Sequence, residues 1–388
     1  MKKTAIAAFA AGLFMAVPAA HADITVGFSG VLSGPQGVLG QDQRDGFLLA
    51  IEELGGKLGG QKVNVVIEDD QLKPDVGGQI VQKFLERDKV DAIVGLGFSN
   101  VLMAELRRIK DSGVVAIATN AGPGPIAGRL CAPNLFGLAW QNDTMSEAMG
   151  QYAQDVGHKN AYLMSSAYQA GKDKLNGFKR YFKGEIVNEV YTPLGQLDFS
   201  AEISALQAAS PEALFVFYTG GTGVNFARQV RQAGVMGKIP VYSEGMIDSN
   251  TLVSLKNQAD GNIYGATWAP VLDNPHSKKF VKAFEGKYGH TPSEYAANGY
   301  DAAYLLDTAV RKLNGDVSDR QAFVKAVKEA GSEFPTVRGK FAFNTNNMPI
   351  QNVYAFKAIG QGDDVMVKQV ATVFTDHQDA YVSECDMK

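Results

Sequence analysis

Short apolar runs with the length of β-strands alternate with helical patterns along almost the whole chain. The first run covers residues 24–29, and the apolar residues of the segment 47–54 then recur at helical spacing. Further strand-like runs follow at 63–67, 90–96 and 114–119, with helical patterns between them. Because strands this apolar are typically buried on both faces, the alternation predicts a parallel sheet that helices cover on both sides.

The same alternation starts again after Trp140. Strand-like runs lie at 161–164, 186–191, 213–218 and 240–242. Helical patterns then cover most of 276–330, and the chain closes with strand-like runs at 339–343, 352–356 and 365–373. The sequence therefore predicts an α/β protein with two doubly wound parallel-sheet lobes, and its 388 residues are too many for one ordinary core.

The N-terminus has the pattern of a cleaved signal peptide. Lys2 and Lys3 precede a mostly apolar run at 5–20, which ends in the small-x-small triplet Ala-His-Ala at 20–22. A buried N-terminal helix is the alternative interpretation. The pattern predicts a signal peptide at 1–22 with cleavage after Ala22, and hence a protein exported to the periplasm.

Charge and hydropathy exclude two classes of protein. The full chain has 37 basic and 41 acidic residues. Cleavage of the predicted signal peptide removes two lysines, so the mature chain has a formal net charge of −6. This is the wrong sign for a protein that binds nucleic acid through phosphate contacts. No apolar run beyond the N-terminus is long enough for a membrane span.

The two cysteines, Cys131 and Cys385, are far apart in the sequence and belong to no metal-like cluster. In an oxidising compartment such a pair is more often a disulfide than two free thiols. We therefore expect a bond that connects the C-terminal tail to a loop near the middle of the chain. Two isolated buried thiols are the alternative.

The sequence lacks the motifs of the common α/β enzymes. It contains no phosphate-binding loop, no dinucleotide fingerprint after the first strand and no G-x-S-x-G nucleophile elbow. The five histidines are scattered, without metal-ligand spacing. We therefore expect no catalytic residues, no metal and no cofactor. The strand-end loops, rich in Ser, Thr, Asn and Gly, indicate a ligand-binding protein whose helix N-termini suit a carboxylate.

Several of these loops together resemble the leucine-binding-protein family, the type I periplasmic substrate-binding proteins of ABC importers. The segments that carry the resemblance are GFSGVLSGPQGVLG at 27–40, GFSN at 97–100, ATNAGPGP at 118–125, FVFYTGG at 215–221, SEG at 243–245 and YAANGYDAAYLL at 295–306. No single motif is specific, but their order and spacing extend over nearly the whole mature chain.

The resemblance implies two lobes joined by a three-strand hinge, with the ligand held between lobes that close around it. It places lobe 1 at 23–141 and 268–346, and lobe 2 at 142–267 and 347–388. The three chain crossings are expected near 140–143, 264–268 and 345–351.

The resemblance also implies ligand-binding residues on the first lobe. Ser99 matches the family serine that holds the ligand carboxylate, and a serine at a strand-to-helix junction can either cap the helix or face an anion. Asn120, Ala121 and Gly122 match a second carboxylate-binding loop, although the family often has threonine at the position of Gly122. Apolar contacts with the ligand are expected from Leu39 and Phe98.

On the second lobe, Tyr168 fits the family aromatic that closes over the ligand. Tyr218 and Thr222 are expected on the next wall, where the match is looser. Glu244 matches the acid that pairs with the ligand ammonium in amino-acid binders. Its alternatives are a solvated loop carboxylate or a helix cap.

The resulting functional hypothesis is a monomeric periplasmic solute-binding component that delivers its ligand to a membrane permease with separate ATPase subunits. Ser99 and Glu244 favour a branched-chain or other aliphatic amino acid. Gly122, and Leu39 where amino-acid binders often carry an aromatic, leave room for an aromatic carboxylate of the benzoate or cinnamate type. A periplasmic sensor remains a third alternative.

Overall fold

The computed structural model describes residues 23–387. The signal peptide predicted at 1–22 lies outside this range. Two β-sheets, each flanked by helices, form the two-lobed α/β fold that the sequence predicts. Within residues 23–387, no helix combines the length and the apolar character that crossing a membrane requires.

The first lobe is built around a six-stranded sheet with the order β2-β3-β1-β4-β5-β6. Its strands are β1 (Ile24–Gly30), β2 (Lys57–Leu58), β3 (Gln61–Asp69), β4 (Ala92–Gly95), β5 (Val115–Ala118) and β6 (Leu135–Gly137). All neighbours pair in parallel except β2 and β3, which form a short antiparallel hairpin. The central strands β1, β4 and β5 are almost entirely buried, as expected for a sheet covered on both faces.

Seven helices pack around this sheet. They are α1 (Gly37–Glu53), α2 (Pro74–Lys83), α3 (Ser99–Ser112) and α4 (Gly124–Ala127), with α10 (Pro275–Tyr288), α11 (Glu294–Lys312) and α12 (Arg320–Ala330) from later in the chain. A π-helical turn at Phe84–Asp88 extends α2. Helices α1 and α11 pack closely because a Cβ at Gly46 would lie 2.0 Å from the Ala296 carbonyl oxygen. This contact joins the middle of α1 to the first turn of α11.

The second lobe contains a sheet with the order β12-β13-β11-β10-β9-β7-β8, and β14 pairs with β13. Its strands are β7 (Asn160–Ser166), β8 (Glu185–Thr192), β9 (Leu214–Phe217), β10 (Val241–Glu244), β11 (Ile263–Ala266), β12 (Phe341–Phe343), β13 (Pro349–Gln361) and β14 (Asp364–His377). Its helices are α5 (Thr144–Val156), α6 (Gln169–Tyr181), α7 (Ser200–Ala209), α8 (Gly220–Gln232) and α9 (Ser249–Leu255). Short 3₁₀ turns lie at Lys256–Ala259 and Val382–Glu384.

The last three strands depart from the parallel pattern. Strands β12, β13 and β14 join the second sheet by antiparallel pairing. The segment expected to contain the second crossing, 264–268, begins inside this sheet, because Tyr264 pairs with Ser243 on one side and Phe356 on the other. The chain leaves the sheet only after Ala266.

The disulfide expected from the sequence is present between Cys131 and Cys385. Cys131 follows α4 in the first lobe, whereas Cys385 follows β14 of the second sheet. The bond therefore connects the tail of the chain to the first lobe.

Candidate ligand-binding site

A cavity lies between the two lobes, at the carboxyl ends of their parallel strands. Its volume of about 50 Å³ is several times the roughly 10–15 Å³ that one buried water needs. The first lobe contributes Leu39, Phe98, Ser99, Asn120, Ala121, Glu294 and Tyr295, and the second contributes Met145, Tyr168, Lys174, Phe217, Glu244, Asp248 and Tyr264. The position agrees with the general rule that open α/β sheets bind ligands at strand ends.

Ser99 occupies the first turn of α3, where the helix leaves unpaired backbone N–H groups. Its Oγ accepts a hydrogen bond of 3.1 Å from Nδ2 of Asn142. The hydroxyl hydrogen of Ser99 is then free to be donated into the cavity. Together with the positive end of the α3 dipole, this arrangement suits a carboxylate.

The Asn142 side chain forms hydrogen bonds with several residues around Ser99. Besides Ser99, its Nδ2 donates to Oδ2 of Asp173 at 2.8 Å, and its Oδ1 accepts from the backbone N–H of Gly122 at 3.1 Å. The Gly122 N–H is therefore already used within the protein. The Asn142 side chain therefore connects three segments of the chain.

Aromatic rings from both lobes form part of the cavity wall. The Tyr168 ring stacks on Phe217 at a centroid distance of 6.2 Å and lies 6.4 Å from Phe98. Trp140 contacts Tyr295 edge to face at 6.1 Å. Flat aromatic faces on several sides favour a ligand that is itself planar and apolar over part of its surface.

Glu244, at the end of β10, forms a buried ion pair with Lys174 of α6. The side chains are only 3% and 2% exposed, respectively. Oε2 of Glu244 also accepts a hydrogen bond of 2.5 Å from Ser146. Burial raises the pKa of Glu244, and the positive charge of Lys174 opposes that shift. The acid expected to bind a ligand ammonium thus already has a cationic partner.

Two further carboxyl groups line the cavity. Glu294 accepts hydrogen bonds from the N–H and hydroxyl of Thr267, both at 2.6 Å, and from the N–H of Trp268. Burial raises the pKa of Glu294 to about 7, against the lowering effect of these bonds. Asp248 caps α9, and burial raises its pKa to about 6. Within residues 23–387, no three metal-ligating side chains form a cluster that could hold a metal ion.

Seven of the ten residues expected at the site line the cavity: Leu39, Phe98, Ser99, Asn120, Ala121, Tyr168 and Glu244. Gly122, Tyr218 and Thr222 do not. A Cβ at Gly122 would lie 2.0 Å from the Trp140 carbonyl oxygen, so the backbone is packed there rather than open to a ligand.

The other two residues outside the cavity have structural roles. The Tyr218 ring is buried between Phe199 and Phe226, with centroids 5.0 and 4.8 Å away. Thr222 lies at the rim, where its hydroxyl accepts a 3.4 Å hydrogen bond from Gln36 of the facing lobe.

The sequence analysis misses Lys174, Asn142, Trp140 and Asp248. Lys174 has no distinguishing sequence signal, since it lies among other polar residues of a helix that reads as solvent-exposed. Tyr295 is the first residue of a segment that carries the family resemblance, so that segment could have identified it.

Comparisons with known proteins agree with the two-lobed fold. The family model described as periplasmic binding protein matches residues 23–363. A relative from Brucella melitensis, named Leu/Ile/Val-binding protein homolog 6, is 27% identical over 376 residues and covers 94% of each chain.

Two similar solved structures come from Rhodopseudomonas palustris. One is an ABC-transporter solute-binding protein in complex with benzoate, with a TM-score of 0.88 and 27% identity over 94% of this chain and 100% of that one. The other, from strain BisB5, is a solute-binding protein in complex with 3,4-dihydroxybenzoic acid. It has a TM-score of 0.86 and 27% identity over 92% of this chain and 99% of that one.

Proposed function

The chain belongs to the periplasmic binding protein family, and from this premise we propose that it is the solute-binding component of an ABC importer whose ligand is an aromatic carboxylate. The family binds solutes and is not enzymatic. The observation that carries the choice of ligand is the buried Lys174–Glu244 pair. An ammonium at Glu244 would have to displace Lys174 and leave that cation buried without its partner, which is strongly unfavourable.

The ligand carboxylate binds at Ser99 and the N-terminus of α3. Asn142 orients the Ser99 hydroxyl, and the backbone N–H groups of the first helical turn supply further donors. The aromatic ring lies among Phe98, Tyr168 and Phe217, where stacking and edge contacts supplement the burial of apolar surface. The benzoate complex of the similar R. palustris protein supports this class of ligand.

A branched-chain amino acid is the second candidate. The names of the Brucella relatives favour it, as do Ser99 and Glu244 at the positions expected for amino-acid binding. In that case Glu244 would exchange part of its interaction with Lys174 for the ligand ammonium. The two candidates therefore make opposite predictions about this ion pair.

We further propose that the protein, after cleavage of residues 1–22, works as a periplasmic monomer and delivers its ligand to a membrane permease with separate ATPase subunits. The family and the N-terminal pattern support this assignment. The lobe boundaries 23–141 with 268–346, and 142–267 with 347–388, belong to the same proposal, although β12 (Phe341–Phe343) pairs within the second sheet.

Thermal unfolding of the mature protein tests the choice of ligand. We expect benzoate or cinnamate to raise the unfolding temperature and leucine, isoleucine and valine to leave it unchanged. A ligand at a thousand times its Kd stabilises the folded state by about 4 kcal/mol.

Ser99→Ala should weaken benzoate binding by about 1–3 kcal/mol, because the anion loses a hydrogen bond.

Ser112→Ala is the matched control, since Ser112 lies at the far end of α3, where its hydroxyl donates to the Ile109 carbonyl oxygen and accepts from the Val114 N–H. A shift with the branched-chain amino acids alone would contradict the aromatic carboxylate. An equal loss of benzoate affinity in both serine variants would show that Ser99 does not bind the ligand carboxylate.

A further inference from the structure

Asp248 lines the cavity, and one of its carboxylate oxygens is buried without a hydrogen-bond partner among residues 23–387. Oδ1 of Asp248 accepts from the backbone N–H groups of Asn250 and Thr251 at 2.8 and 2.9 Å, which caps α9. Oδ2 is buried, and among residues 23–387 Asp248 is the one cavity-lining residue with a side-chain atom that is both buried and without a partner. A buried acceptor left unpaired costs about 1–3 kcal/mol, so a ligand that donates to it gains affinity.

Among residues 23–387, neither neighbouring acid has an oxygen that is both buried and without a partner. Glu244 is satisfied by Lys174 and Ser146. Glu294 accepts donors from Thr267 and Trp268. Outside the cavity, Asp42 takes the amide of Asn250, so this nearby donor is not available to Asp248.

We propose that Asp248 accepts a hydrogen bond from a hydroxyl group of the ligand, and that the preferred ligands are hydroxylated aromatic acids. This inference rests on the proposed function and specifies the ligand within its class. The carboxylate of the ligand lies at Ser99 in the first lobe, and the hydroxyl lies against Asp248 in the second. Each end of the molecule is thus recognised by a different lobe.

The environment of Asp248 favours a hydroxyl over an ammonium. An ammonium carries three donors and needs several acceptors, whereas a phenol carries one. Asp248 itself offers one unpaired oxygen, since its other oxygen caps α9, and Tyr264 and Tyr295 also line the cavity. The charge of Asp248 raises the pKa of both tyrosines in addition to the effect of burial, which indicates that their rings are close to it.

The test compares Kd values for benzoate, 3-hydroxybenzoate, 4-hydroxybenzoate and leucine, measured by calorimetry on the mature protein and on Asp248→Ser. Serine still caps a helix N-terminus but lacks the second oxygen. The matched control is Asp319→Ser, because Asp319 caps α12 in the same way and lies outside the cavity. This control measures how much ligand binding changes when a capping aspartate outside the cavity is replaced.

We expect at least one hydroxybenzoate to bind the wild-type protein about tenfold more tightly than benzoate, the size of one charge-assisted hydrogen bond. Asp248→Ser should lose this preference, and Asp319→Ser should keep it. Equal affinity for benzoate and both hydroxybenzoates, or a preference that survives in Asp248→Ser, would overturn the inference and leave the proposed function standing. Binding of leucine without binding of any aromatic acid would overturn both.

Discussion

The side chain of Glu105, on α3, is fully buried, and neither of its oxygens has a hydrogen-bond partner among residues 23–387. A Cβ at Gly77 of α2 would lie 2.6 Å from its Oε1, so the carboxyl group is packed directly against that helix. Burial raises the pKa of Glu105 to about 8, and the charge of Asp70 adds to the effect. Burial also raises the pKa of Asp70 to about 6.

This buried carboxyl should make the stability of the protein depend on pH. The unfolded chain loses the Glu105 proton near pH 4.5 and the folded chain only near pH 8. Between these values the unfolded state binds fewer protons, so the free energy of unfolding falls as pH rises. We predict that Glu105→Gln stabilises the protein relative to wild type by a margin that grows by about 2–4 kcal/mol from pH 5 to pH 8.

Urea unfolding at the two pH values measures this margin. The control is Asp111→Asn, because Asp111 is an exposed acid on the same helix. A margin that is the same at both pH values would show that Glu105 does not carry the proton.

Individual residues also show what the sequence could predict of the site. Ser99, Phe98 and Asn120 were predictable because each follows a strand end in the order typical of the family. Lys174 was not, because its burial depends on Glu244, which is 70 positions away in the chain. From the sequence alone, a lysine in a polar helix is expected to be exposed to solvent, because the acid that pairs with it is distant in the chain. The sequence favoured an amino acid because it shows Glu244 without this cationic partner.

Among the secondary-structure elements, the apolar strands were predicted more reliably than the helix starts. The sequence places the first helical pattern at 47–54, yet α1 begins at Gly37. The glycines in this stretch have a low helix propensity, so the sequence does not predict a helix there. Gly40 is needed because a Cβ there would lie 2.0 Å from the Val31 carbonyl oxygen.

Strand β11 was missed because it is four residues long and contains Gly265, which makes room for the backbone of α5 at Met145.

The segment 378–385, which we call the C-terminal strap, connects the two lobes behind the cavity. It leaves β14 of the second sheet and ends at the disulfide with Cys131 in the first lobe. Along the way the Tyr381 hydroxyl donates to Asp143 at 2.9 Å, and Asp379 accepts from Asn346. The strap is thus a covalent connection in addition to the three expected crossings.

We predict that removing the disulfide lets the lobes open further. In Cys131→Ser/Cys385→Ser, the ligand-free protein should have a larger radius of gyration in small-angle X-ray scattering than ligand-free wild type. With benzoate bound, the two proteins should have the same radius. The variant should also lose about 2–5 kcal/mol of stability. Equal radii without ligand would mean that the strap does not limit opening.

At the scale of the whole molecule, the lobes also touch at the rim of the cleft. Nε2 of Gln36 donates to the Thr219 carbonyl oxygen at 3.1 Å, and Asn250 donates to Asp42 at 2.7 Å. These contacts join α1 of the first lobe to α8 and α9 of the second. A ligand that bonds to both lobes stabilises the same closed arrangement, so binding shifts the population toward it.

A crystal structure of the mature protein with benzoate tests the central claim most directly. The account predicts a carboxylate that accepts hydrogen bonds from the Ser99 hydroxyl and the first turn of α3, a ring beside Tyr168 and Phe217, and an intact Lys174–Glu244 pair. A carboxylate bound to Lys174, with Glu244 turned away from it, would contradict the account.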